Sequence, residues 1–271
     1  MAIAFDNSTV VDLSGTTALS TSFTCSGTNR ILFVMAMSSS TAWGGFTYNG
    51  VALTQIQTDQ TASHLIGLWY LVNPASGSNT LAGTWGGNQA HSVVVASYNG
   101  VKQSSPINAS TTATGSGTSL TTTASSTTDN CWGILAGGTG GATSIDASTN
   151  AVLISRVQGN IDGLFHTNTP ITPAGSFGMT FTGASATKAS IMAFFAPALI
   201  ISSSDSITMT DTLSKFVRQK VISVSDTINI IQVILFSAFD SITASDVLQS
   251  FKKGWKNSIK NISNWINEDK H

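Results

Sequence analysis

The side chains able to do chemistry are few and scattered. His64, His91 and His166 each have hydroxyls nearby, because Ser and Thr crowd the whole chain. With the six Asp of residues 1–200 they supply the types of a Ser-His-Asp triad. The spacing is missing: no Gly-x-Ser-x-Gly joins a strand to a helix, and Gly115-Ser116-Gly117 lacks that context. Glycoside hydrolysis needs two facing carboxylates, and residues 1–200 contain no Glu. Asp146 and Asp162 fall in loop-like stretches, where an Asp is expected to bond its own turn. Tyr48, Tyr98, His64 and Arg30 have the types a polysaccharide lyase uses, with no spacing that unites them. Cys25 and Cys131 are too few for a soft-metal site, and nothing resembles an EF-hand loop. Two buried free thiols are expected, with a disulfide as the alternative. No catalytic residue, metal ligand or cofactor is assigned, and the expectation is a protein that is not an enzyme.

Aromatics could instead stack on sugars. Alternation along a strand puts Trp69 and Tyr70 on opposite faces, so packing is the expected role for most of the set, Trp132 included. Trp43 before Gly44-Gly45 and Trp85 before Gly86-Gly87 adjoin loops. These two are the candidate exposed ligand-binding residues.

Strands must position all of these residues. From His64 to Pro106 three apolar or alternating runs, Leu65–Leu71, Asn79–Trp85 and His91–Tyr98, are separated by Asn73-Pro74-Ala75-Ser76-Gly77-Ser78 and Gly86-Gly87-Asn88-Gln89. Both separators are turn chemistry, and Asn99-Gly100 closes the set. Upstream lie Ile3–Phe5, Val10–Leu13, Thr21–Cys25, the continuous apolar run Arg30–Met37, and a hairpin through Asn49-Gly50. Downstream, Ser110–Leu120 and Thr121–Thr128 read as an edge strand or a surface loop. Asn130–Ala136 resumes the core, Gly137–Gly141 reads as a loop, and Val152–Val157, Gly163–Thr167, Phe177–Thr182 and Ala189–Phe195 complete the set. The expected class is mainly β: an antiparallel, jelly-roll-like β-sandwich of two stacked sheets over residues 1–198.

Charged residues are only 9% of the chain, against roughly 25% in an ordinary soluble domain. The surface is therefore neutral and hydroxyl-rich, and a net charge of −1 argues against nucleic acid as a partner. Residues 1–200 hold only Arg30, Lys102, Arg156 and Lys188 as bases, and the remainder of the chain is much richer in charge. That break places a boundary near Pro197. The opening Met1-Ala2-Ile3-Ala4-Phe5-Asp6 reads as a strand rather than a secretory leader, so assembly in a cytoplasm is expected. The apolar run Ile228–Phe239 is too short to span a bilayer.

The ordered set IAFD, TCSGTNRILFV, TYNGVALTQI, LWYLVNPASGSNTL, VVVASYNGVKQSSPI, DNCWGIL and a last apolar strand ending at Pro197 resembles a β-sandwich module of tailed-phage and environmental-virus proteins, found also in some bacterial surface proteins. The resemblance covers residues 1–198 and implies a virion structural role of tail-fibre or decoration type. It brings no catalytic residues.

Beyond it, residues 199–245 carry three loose repeats beginning at Asp205, Asp226 and Asp240, similar to Asp-Ser-Ile-Thr repeats of archaeal and viral surface proteins. A short repeat cannot bury its apolar face alone, so a β stalk or a coiled coil between sister chains is expected, with Ile207, Ile228, Ile230, Ile234 and Ile242 inside it. Residues 246–271 predict an amphipathic helix whose stripe is Leu248, Phe251, Trp255, Ile259, Ile262 and Ile266. Self-association or docking on another virion protein is favoured for it over lying on a membrane.

These expectations combine into a homo-oligomeric, most simply trimeric, virion-surface protein with possible attachment to host glycans. A carbohydrate-binding cell-surface adhesin is the alternative, and a polysaccharide-degrading enzyme ranks behind both.

Overall fold

The computed structural model describes residues 2–38, 43–60, 65–87, 90–140, 145–156, 162–167 and 169–198. They fall in one compact unit, Met1–Ser202. The stalk repeats and the terminal helix, with every oligomerisation residue named above, lie outside the described residues, as does His64.

The described residues are strands and loops, without helix. In chain order the strands are β1 (Ala4–Ser14), β2 (Ala18–Cys25), β3 (Ile31–Ser38), β4 (Trp43–Tyr48), β5 (Val51–Ala52), β6 (Thr54–Gln60), β7 (Leu65–Val72), β8 (Gly77–Trp85), β9 (Ala90–Asn99), β10 (Ile107–Ser125), β11 (Trp132–Thr139), β12 (Asp146–Ala147), β13 (Val152–Arg156), β14 (Asp162–His166) and β15 (Ser176–Phe195). Each pairing between them is antiparallel.

They form a five-stranded sheet β1-β9-β3-β7-β6, a four-stranded sheet β2-β8-β4-β5, and a third sheet β10-β15-β11-β14-β13 with β12 on β15. The two-sheet expectation is therefore corrected to a thicker stack. The reason is visible in β3, whose eight residues are all buried. Ile31, Phe33, Met35 and Met37 pack toward the third sheet, while Leu32, Val34 and Ala36 pack toward the four-stranded sheet. A strand apolar on both faces needs a layer on each side.

The third sheet is covered twice as well. Its strand β11 is buried throughout, with Trp132, Ile134 and Ala136 on one face and Leu135 on the other. The second cover comes from its own long strands. In β10 and β15 the ladder breaks near Gly117–Ser119, and the ends beyond it fold back. Met179 and Phe181 thereby pack with Met192 and Phe194 of the same strand. Gly133 and Gly137 make room: a Cβ there would stand 2.8 Å from Met179 Sδ and 2.9 Å from the Phe181 ring. The glycine run expected as loop thus enters β11 through Gly137 and Gly138. The hydroxyl-rich Ser110–Leu120 tract is edge strand, within β10.

Candidate functional site

Several of the described side chains with chemical potential are fastened into the strand framework. Arg30 donates from Nε to Pro74 O at 2.8 Å, from Nη1 to Gly27 O at 2.6 Å and from Nη2 to Asn73 Oδ1 at 3.3 Å, which clips two turns together. Tyr48 is buried and its hydroxyl donates to Phe23 O at 3.0 Å. Burial, with the neighbouring Cys25 thiol, pushes that phenol up to about 12. Tyr98 is also buried and sits 3.1 Å from His166 Nδ1. Around this pair Phe5 and Trp132 set their rings edge-on, at 5.6 and 5.5 Å from the imidazole. Burial holds His166 down to about 4, so it stays neutral. The lyase-type set is not brought together: Tyr48 lies in the core beneath the four-stranded sheet, and Tyr98 in the one between the other two sheets.

The candidate aromatics differ from expectation. Trp85 is buried rather than exposed; its strand register turns the ring inward, and Nε1 donates to Thr16 O at 2.5 Å. His91 covers it at 4.4 Å between ring centroids, with its Nε2 at 2.9 Å from Gly87 O. Trp43 is half-buried and packs edge-on against Trp69 at 5.1 Å. As alternation requires, Trp69 and Tyr70 face opposite cores. Cys25 and Cys131 are free, buried thiols in two different cores, so the disulfide alternative falls.

Sequence reasoning missed one charged side chain, Lys188, and expected a turn around another, Asp162. Lys188 is buried, donating from Nζ to Gly117 O and Ala184 O, both at 2.6 Å, which pins the fold-back of β10 on β15. Burial lowers its pKa. Asp162 has no turn to bond. It opens β14 facing the first sheet, fully buried, and neither carboxylate oxygen has a hydrogen-bond partner. Its neighbours are tight: a Cβ on Gly138 would stand 2.5 Å from Asp162 Oδ1 and 3.0 Å from Ile66 Cγ2. Burial pushes the carboxyl up to about 8, so it is protonated at neutral pH. Asp146 meets Arg156 at 2.5 Å on the surface and forms no pair with Asp162.

The chain matches no family model and no curated protein.

Much of the described solvent-facing strand surface is hydroxyl. On β2 and β8, exposed Ser22 pairs with Thr80 and Thr24 with Ser78. On the folded-back ends, Thr121 and Thr180 join hydroxyl to hydroxyl at 2.8 Å. A shallow groove of about 550 Å³ runs across the four-stranded sheet, lined by small residues such as Gly44, Gly45, Ala82 and Gly83. It presents no titratable group. Among the described residues no cluster of His, Cys, Asp or Glu could hold a metal ion.

Proposed function

We propose that the chain is a non-enzymatic structural protein of a virus particle, of tail-fibre or capsid-decoration type. It acts as a homo-oligomer joined through residues 199–271 and displays its β body at the particle surface. The observation that carries the reading is the employment of the reactive side chains. Arg30, Tyr48 and Lys188 spend their polar atoms on backbone carbonyls, so they act as fasteners. A body with few charges, neutral hydroxyl faces and polar groups turned to internal clips suits a part that must persist outside a cell. The ordered motifs of residues 1–198 support the same reading. The apolar residues of the repeats and the terminal stripe support the oligomer, since such short elements need partners to cover them. Any contact with host-surface glycans is made through hydroxyl-rich faces, because buried Trp85 offers no ring to a sugar.

Sedimentation equilibrium of the full chain tests this. A trimer, or another closed oligomer, lost on truncation after Ala198 is expected. A monomeric full chain at tens of micromolar overturns the proposal.

A further inference from the structure

We infer that residues 4–99 and 107–195 are two copies of one module, and that the faces they press together are an interface built to receive a second copy of that module. This does not rest on the virion reading. Matching strands occupy matching places. The order β1-β9-β3-β7-β6 of the first sheet is repeated by β10-β15-β11-β14-β13 in the third. The layer β2-β8-β4 is matched by the folded-back ends of β10 and β15 with β12.

The registers agree residue by residue. Ile31 pairs with Tyr98 and Met35 with Val94; Trp132 pairs with Phe195 and Ala136 with Ile191 at the equivalent steps. Gly67-Leu68-Trp69-Tyr70 on β7 recurs as Gly163-Leu164-Phe165-His166 on β14, facing the same strand positions. The irregularities coincide too. The bulge at Ile56 recurs at Ile154, and the bulge at Asp6 recurs at Asn108. Asn29 and Asn130 turn with φ of 53° and 62°, and Asn49 and Asn150 with 49° and 58°. Bulges and left-handed Asn residues are placed features, not accidents of being β. Their shared positions make duplication the economical account.

The central core is filled from equivalent positions on both sides: Phe33 and Ile134, Leu68 and Leu164, Val94 and Ile191, Ala96 and Ala193. Contacts across it are reciprocal. Strand β6 meets β10 and β15, and its counterpart β13 meets β1 and β9. That exchange is the signature of an isologous, dimer-type interface. One polypeptide supplies both partners, and the link between β9 and β10 keeps them at high effective concentration.

Two experiments on the full chain test the inference. A specific protease site inserted between exposed Ser104 and Ser105 allows the copies to be cut apart. The fragments are expected to co-elute at the uncut size and to recombine one to one after urea is diluted away. Fragments that separate, or that lose their β signal under native conditions, overturn the interface. The second experiment exchanges a packing pair. In the first copy the Phe46 ring lies opposite Gly83; in the second, Ala147 lies opposite Phe181 at the equivalent pairing. Phe46→Ala leaves a hole, and Gly83→Phe alone collides, since a Cβ there stands 2.4 Å from Phe46 Cδ1. Combined, they install the second copy's arrangement and are expected to recover at least half of the urea midpoint lost by the worse single variant. A double variant no better than its worse parent overturns the equivalence.

Discussion

Asp6 and Asn108 stand at the same bulge of two edge strands and accept the same bond: the Ser26 N–H reaches Asp6 Oδ2 at 2.8 Å, and the Thr127 N–H reaches Asn108 Oδ1 at 2.7 Å. One position is a carboxylate and the other an amide, so the bond needs an oxygen and not a charge. Asp6→Asn is expected to cost less than about 1 kcal/mol, while Asp6→Ala strands the donors around it and costs about 1–3 kcal/mol. Burial pushes Asp6 up, but the bonds from Ser26 and Ser97 and the field of Arg30 outweigh it, leaving the carboxyl below 3.8. Its stabilisation is therefore present above pH 3.8 and lost as pH falls through the lower folded value, a loss Asp6→Asn should lack. Urea unfolding of the three proteins at pH 7 and pH 3 checks both statements.

Gly67 and Gly163 are equivalent, yet the first is the tighter. A Cβ at Gly67 would stand 2.3 Å from Trp69 Cη2, in an indole wedged between Trp43 and Phe46. At Gly163 the nearest atoms are Ile145 Cγ2 and Phe165 Cζ, both at 3.1 Å. Overpacking a filled core costs roughly 1–3 kcal/mol. Gly67→Ala is expected at or above the upper end and Gly163→Ala at the lower end. Equal losses in thermal unfolding would contradict the packing described around Trp69.

Lys188 ties the fold-back to the strand it leaves, through two carbonyls 2.6 Å away. Lys188→Met keeps the stem and removes the donors, leaving Gly117 O and Ala184 O without them. A loss of about 1.5–3 kcal/mol is expected, the range for bonds to a charged group. Hydrogen exchange should quicken first at the amides of Ser119–Ser125. Protection unchanged there would show that the ammonium does not hold the arm.

Strands were more legible than layers. Arg30–Met37 announces a core strand, and an apolar run without alternation already states that both faces are covered. The number of sheets needed to cover them does not appear in any one segment. The duplication was hidden because equivalent positions are filled by unlike residues: Ile31 by Trp132, Ala36 by Gly137, Ser97 by Phe194. The Phe46/Gly83 and Ala147/Phe181 exchange even moves bulk from one strand to its neighbour. Trp85 misled because a flanking Gly-Gly signals a nearby turn, while strand parity decides where the ring points. Asp162 reads in the sequence as a loop carboxylate, and its burial gives no signal, since its counterpart is Ile66 and an unpartnered carboxyl has no motif.

Asp162 and His166 titrate in opposite senses, and their two contributions oppose each other in the pH dependence of stability. Burial raises Asp162 to about 8 from 3.8 and lowers His166 to about 4 from 6.5. The folded chain keeps the Asp162 proton that the unfolded chain releases, so stability from this group is full below about pH 4 and declines as pH rises to about 8. The unfolded chain takes the His166 proton first, so stability from that group is present above pH 6.5 and is lost as pH falls to about 4. Each slope reaches at most ~1.4 kcal/mol per pH unit. Between pH 4 and 6.5 the two oppose, and above 6.5 only the Asp162 slope remains. Urea midpoints of the wild-type protein are expected to be nearly flat from pH 4.5 to 6.5 and to decline from 6.5 to 8. Asp162→Asn should abolish the decline and unmask a loss of stability toward pH 4, while His166→Gln should give one continuous decline from pH 4 to 8. Were Asp162→Asn to keep the loss above pH 6.5, the proton held between the sheets would have to sit on another group.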